Sequence, residues 1–230
     1  MATAAGRWTV TTYREPPSAF HARAIPDAVV PSVWVCDPTV PALVLGSAQP
    51  EGVADHAACT RAGVEVVRRR SGGGAVLVVP GDLLWVDVLV PAGDPRWEVD
   101  VGRAFHWLGE AWASALRQLG IGAVHHEGAL VSTPWSRLVC FAGLGPGEVV
   151  RGPNIPGPKV VGISQRRTRA GARFQCAALR RWDPEALARL LRLDEPARAR
   201  LVADVAPSAA PVDVAADDLL GALLHELAAR

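Results

Sequence analysis

The chain has 230 residues, half of them apolar and one fifth charged, with a formal net charge of +1. That length suits one large domain, here read as residues 1–230, and the balance excludes a disordered chain or a protein that grips nucleic acid by bulk charge. No apolar run is long enough to cross a bilayer, the N-terminus shows no charged lead before an apolar core, and the four cysteines are scattered without metal-type spacing, so a reduced, cytoplasmic protein with no metal site is expected.

In chain order, apolar runs bounded by Gly and Pro predict strands at residues 42–45, 64–67, 74–79 and 83–90. Pro80-Gly81-Asp82 between the last two predicts a hairpin. In the fourth run Trp85 lies between Leu84 and Val86, which predicts burial on both faces. Residues 101–119 carry Phe105, Leu108, Trp112, Ala115, Leu116 and Leu119 at helical spacing, closed by Gly120. Further strands are expected at 121–125, 138–142, 160–164 and 173–179. A helical tail, 184–230, follows, with helices at 184–192, near 197–202 and at 217–229, and a linker at 205–214. The pattern is an α+β domain, a strand-rich centre with flanking helices.

Arg68-Arg69-Arg70-Ser71-Gly72-Gly73-Gly74-Ala75-Val76 is the strongest local signal. Three consecutive glycines between strands cost backbone entropy and leave the main chain bare, so the loop can wrap a ligand and aim amides at an anion. Three arginines upstream add charge that no physiological pH removes. No Gly-Lys-Ser/Thr follows, so it is not a Walker loop. The second signal surrounds Lys159, the single lysine among 24 basic residues. The single asparagine, Asn154, lies five residues earlier, and Gly162 and Ser164 follow. A chain rich in Ala, Gly, Pro and Arg has traded its dispensable lysines for arginine, which marks Lys159 as a needed amine. At a strand start it is a positioned point charge, suited to bridging a phosphate and a carbonyl oxygen.

Together these segments resemble the lipoate–protein ligase A family of the biotin/lipoate ligase superfamily. RRRSGGGAV is similar to its RRxSGGGAV stretch, and the Lys159 segment to its N-D-(loop)-G-x-K-(V/I)-x-G run. Pro41 to Gln49 resembles its P-x-(apolar)-G-x-x-Q strand, and Gly171 to Leu179 its late strand. The likeness covers roughly residues 30–192. It implies a mixed, mainly antiparallel sheet with flanking helices. It also implies a two-step reaction: lipoate is joined to the α-phosphate of ATP, with Mg²⁺, and the acyl group then passes to a lysine of a lipoyl carrier domain. Such domains belong to the acyltransferase subunit of 2-oxoacid dehydrogenases and to the glycine cleavage H protein. By resemblance Arg69, Arg70 and the loop of Ser71, Gly72, Gly73, Gly74, Ala75, Val76 and Leu77 cover the adenylate. Asn154, Gly162 and Ser164 belong to the same site, Lys159 contacts the acyl carbonyl and phosphate, and Val76 and Val78 border an apolar slot.

The departures are specific. Leu77-Val78-Val79 replaces an aromatic-His-Asp run, Gly81-Asp82 a Gly-Asn, and Ile155 the Asp after the asparagine. No accessory domain follows, so a separate accessory polypeptide is an expected partner, with no nucleic acid and no membrane. Cys140, before the lysine loop, resembles the acyl-accepting cysteine of ATP-independent octanoyltransferases and supports a second reading. A third is a binder of carrier domains or acyl-adenylate that has lost catalysis. His125-His126-Glu127 is read as structural, because adjacent strand residues point to opposite faces.

Overall fold

The computed structural model describes residues 2–5 and 7–230. In chain order the elements are β1 (Ala2–Ala5), β2 (Trp8–Glu15), α1 (Pro17–Ala22), β3 (Ser32–Pro38), β4 (Ala42–Leu45), α2 (His56–Arg61), β5 (Glu65–Arg68), β6 (Val76–Val78) and β7 (Leu83–Pro91). They continue with α3 (His106–Gln118), β8 (Ala123–His125), β9 (Val149–Arg151), β10 (Lys159–Arg167), β11 (Gly171–Leu179), α4 (Pro184–Arg189), α5 (Glu195–Val205) and α6 (Ala216–Ala228). Aspartates start three helices: Asp55, Asp183 and Asp194 each accept a backbone N–H at 2.8–2.9 Å, relieving an orphan donor of the first turn.

Eight strands form one sheet in the order β1-β2-β3-β7-β11-β10-β9-β8, and three form a second in the order β5-β4-β6. Among the described residues only the strand pairs β2/β3 and β4/β5 run parallel. This is the mixed, mainly antiparallel α+β architecture expected. One face of the large sheet is covered by α3 and α6. Leu219, Leu223 and Leu227, four apart on α6, are fully buried there beside Trp112 and Leu116 of α3, the stripe a core-facing helix requires. Strand β7 is buried along nearly its whole length, because the small sheet covers its other face. Trp85, Val44, Val78 and Phe20 meet in that second layer.

The predicted hairpin at Pro80-Gly81-Asp82 does not form. Strand β6 pairs with β4, whereas β7 pairs with β3 and β11, so the turn carries the chain between sheets. A turn signal specifies reversal and leaves the pairing partner open. The strand expected at 138–142 is a single bridge from Val139 to Ala75 followed by a 3₁₀ turn at Cys140–Ala142. The linker at 205–214 is packed: Ala210 N–H donates to Lys159 O at 3.0 Å and Val212 N–H to Leu179 O at 2.6 Å. Strands β1, β2, β3 and β9 and helices α1 and α2 were not expected, although Trp8 and Val10 are buried at alternate positions of β2, a period-2 signal.

Candidate functional site

The glycine loop runs from β5 to β6 and is clamped by two neighbours. A Cβ on Gly46, at the end of β4, would lie 1.9 Å from Gly73 O, and one on Gly74 would lie 2.6 Å from Val139 C. Gly73 has φ +102°, a conformation that side chains disfavour. Ser47 N–H donates to Ser71 O at 2.9 Å, Ala75 N–H to Leu138 O at 2.8 Å and Cys140 N–H to Ala75 O at 3.0 Å. The three arginines divide their work. Arg68 donates to the carbonyls of Gly46 and Gln49. Arg69, 5% exposed, turns into the loop and donates to Gly72 O at 2.9 Å and Gly74 O at 2.8 Å. Arg70 remains exposed. Gln49 completes the clamp, accepting from Gly46 N–H at 2.9 Å and donating to Arg137 O at 3.0 Å.

Lys159 begins β10 and is 2% exposed. Its ammonium donates to Glu148 Oε2 at 2.7 Å and to Cys140 O at 2.9 Å, and lies 5.1 Å from the Phe141 ring centroid. Glu148 accepts twice more: Oε2 from Gly145 N–H at 2.6 Å, and Oε1 from Ile163 N–H at 3.2 Å. Gly162 lets Phe141 lie against β10, since a Cβ there would be 3.2 Å from its Cζ. The acidic partner of Lys159 is Glu148, eleven residues before it. Asn154 and Ile155 are exposed on the loop before β10 and line none of the hollows described here.

Between the two sheets lies a cleft. Its walls include Val44, Val76, Val78, Leu83 and Trp85, an apolar slot of the kind that holds a hydrocarbon chain. One edge is polar: Ser71 Oγ lies 3.0 Å from Ser164 Oγ and donates to Gln175 Oε1 at 3.1 Å, while Gln175 Nε2 lies 3.4 Å from His21 Nδ1. Burial, helped by the Arg173 and Arg69 charges, lowers the His21 pKa to about 3, so the imidazole is neutral. Cys140 lines the cleft and is half-buried, whereas Cys36, Cys59 and Cys176 are buried. A second, shallow hollow shares Val76, Leu83 and Phe141 with the cleft and adds Leu77, Asp82 and Trp182.

Helix α1, which carries His21, is tied down from beneath. Arg173 on β11 donates to Phe20 O at 2.9 Å, Arg23 O at 2.8 Å and the fully buried Asp87. Burial raises the Asp87 pKa against the pull of Arg173. The structure thus gathers Arg69, Ser71, Gly73, Gly74, Val76, Cys140, Gly162 and Ser164 around one cleft, with Lys159 behind Phe141. Glu148, Gln49, His21 and Gln175 went unrecognised as site residues. Gln49 had been visible within the Pro41 to Gln49 match, but nothing in the spacing marked Glu148. His125 bonds Glu110 at 3.0 Å and Glu127 at 3.2 Å, and His126 lies 2.7 Å from Ala129 O. Among the described residues no group of three His, Cys, Asp or Glu could hold a metal ion, and no helix is long and apolar enough to cross a membrane.

Solved structures share the fold. A bi-partite lipoate protein ligase from Thermoplasma acidophilum, described with its E2 lipoyl domain, superposes with TM-score 0.72 at 20% identity, over 97% of this chain and 82% of that one. T. acidophilum protein Ta0514 with bound lipoic acid gives 0.71 at 19%, over 97% and 85%. A lipoate-protein ligase A bound with ATP gives 0.67 at 20%, over 97% and 84%. No curated protein matches the sequence. The family described as lipoyl protein ligase A/B catalytic domain matches residues 22–213, a span that includes the glycine loop, Cys140, Glu148 and Lys159. With the loop, the lysine and the apolar cleft meeting within that span, the chain belongs to the lipoyl protein ligase A/B catalytic domain family.

Proposed function

We propose that the protein activates lipoate with ATP and Mg²⁺ to lipoyl-AMP and transfers the lipoyl group to a lysine of a lipoyl carrier domain. The observation that carries this reading is the pair of adjoining hollows. The apolar cleft suits an acyl chain, and the second hollow, with Trp182 for a base to stack on and the Asp82 carboxylate for ribose hydroxyls, suits an adenosine. They share Val76, Leu83 and Phe141, so a molecule bent across that boundary places its acyl-phosphate link beside the glycine loop. A structure of similar fold contains lipoic acid and another contains ATP.

In the first step a carboxylate oxygen of lipoate attacks the α-phosphorus and pyrophosphate leaves. In the second the neutral amine of the acceptor attacks the acyl carbon, AMP leaves and the amine loses its proton. Arg69 and the amides of Gly72 and Gly73 supply positive character around the phosphate. Lys159 supplies the point charge once Phe141 or the 140–142 turn shifts and the ammonium exchanges Glu148 or the Cys140 carbonyl for substrate oxygens. Mg²⁺ would enter with the nucleotide as part of the substrate complex. Cytoplasmic lipoyl domains of 2-oxoacid dehydrogenases and the H protein are the acceptors this chemistry fits.

One observation favours a second reading. The Cys140 side chain lines the acyl cleft while its carbonyl holds Lys159. There the Cys140 thiolate takes an octanoyl group from a carrier thioester, releasing the carrier thiol, and the acceptor amine then displaces the thiolate. Intact mass of a purified lipoyl domain separates the readings. A lipoyl gain only with lipoate, ATP and Mg²⁺ supports the ligase. An octanoyl gain only with octanoyl-acyl carrier protein, with an adduct on Cys140, supports the relay. No gain in either arm, with an accessory polypeptide supplied, refutes both and leaves a binding protein.

A further inference from the structure

We propose that a separate basic hollow, beside the acyl cleft, is a binding subsite for a phosphate-type oxyanion. It lies between the segment after α1, the glycine loop and the adjoining ends of β10 and β11. His21 and Gln175 line both this hollow and the acyl cleft, so they form the shared wall. The inference goes beyond the proposed reaction and stands whether the acyl group arrives by adenylation or from a thioester.

The charge argument starts from four arginines in the lining and no carboxylate. Arg173 is neutralised by buried Asp87, and Arg23 by Glu15 at 2.8 Å. Arg70 and Arg166 form no ion pair and no side-chain hydrogen bond among the described residues. Two guanidinium forks therefore face one concavity without counter-charge. Guanidinium forks match the spacing of phosphate oxygens and bind them in pairs.

The donor inventory points the same way. His21 Nε2 and Arg23 Nε are buried without an acceptor, and both residues line the hollow. A buried donor left unpaired costs free energy, and a small shift that opens either atom to the hollow would give it an acceptor in an oxyanion. The Thr168 hydroxyl makes two long contacts, donating to Gly171 O at 3.4 Å and accepting from Ala170 N–H at 3.3 Å. Positive surroundings also help keep His21 neutral, since Arg173 and Arg69 add to burial in disfavouring its proton. The lining sets four arginines beside Ala24 and Ile25, where the acyl cleft is almost wholly apolar, so the ligand is an anion of the phosphate class rather than a second acyl chain.

Two sources of that chemistry fit the neighbouring cleft: the pyrophosphate released by adenylation, and the phosphate of a pantetheine arm that delivers an acyl thioester. Calorimetric titration of the full chain with inorganic phosphate, pyrophosphate and 4′-phosphopantetheine, at ionic strength held constant with chloride, tests the site. Saturable one-site binding is expected, weakened about tenfold or more in Arg70→Gln and in Arg166→Gln. Preference for pyrophosphate assigns the leaving group, preference for phosphopantetheine the donor arm, and equal affinity a free oxyanion, each in support. Arg166 is exposed, so its substitution leaves the fold intact, which circular dichroism checks. Absence of saturable binding, or binding equal in wild type and both variants, overturns the proposal. Acceptor acylation is read independently, so failure of the subsite is separable from failure of the proposed reaction.

Discussion

Replacing Glu148 with Gln tests the idea that Lys159 is stored as a buried, paired charge. The wild-type carboxylate holds the ammonium at 2.7 Å, with side chains 2% and 7% exposed, and accepts two main-chain N–H groups. Removing one partner of a buried pair costs about 3–5 kcal/mol. Glutamine keeps one acceptor oxygen and presents an NH₂ where the second oxygen stood, so Gly145 N–H or Ile163 N–H loses its partner. Retained shape and one surviving bond pull the net towards the lower end, roughly 3 kcal/mol. For a chain of this size that corresponds to a fall in melting temperature of about 6–12 °C. Urea unfolding followed by tryptophan fluorescence measures it directly. Lys159→Met added to Glu148→Gln should recover part of the loss, because it removes the uncompensated charge. A loss below about 1 kcal/mol, the range of solvated surface pairs, would refute the reasoning and place the ammonium in water.

Lys159→Arg should abolish acceptor modification while the protein stays folded, since the larger planar guanidinium cannot reproduce a point charge behind Phe141; undiminished turnover counts against Lys159. Cys140→Ser should leave ATP-dependent lipoylation within about twofold, whereas the relay reading requires activity to vanish. Gly46→Ala should displace the glycine loop, because its Cβ would stand 1.9 Å from Gly73 O, and cost about 2 kcal/mol or more with loss of ligand binding; a normal urea midpoint sinks that packing argument. His21 has its folded pKa depressed to about 3 from 6.5. Its contribution is present above pH 6.5 and is lost as pH falls towards 3, because the unfolded chain takes up the proton first. Wild type should therefore lose more stability between pH 7 and 4 than His21→Phe, by on the order of 3 kcal/mol; parallel pH profiles would show that the imidazole is not sealed.

What was legible in the sequence was local. The helices at 101–119 and 217–229 and the run of β7 each follow from near-neighbour periodicity, and the elements appear close to where that periodicity places them. The glycine loop was legible because three bare residues between strands serve few other purposes, and the single lysine stood out by rarity. Resemblance carried the family, since four ordered matches need no coordinates.

Tertiary structure decided the pairings and the burial. The Pro80-Gly81-Asp82 turn was expected to close a hairpin and instead passes the chain from one sheet to the other, because partner choice depends on which strands already lie alongside. Likewise Arg68, Arg69 and Arg70 look equivalent in sequence, yet two are spent on carbonyl groups and one is left open. Glu148 became the partner of Lys159 only when β9 and β10 came together antiparallel, with the carboxylate just ahead of β9 and the amine at the start of β10. Periodicity along the chain sets which face a residue presents, whereas a charge pair across strands depends on register, and register is set by the packed whole.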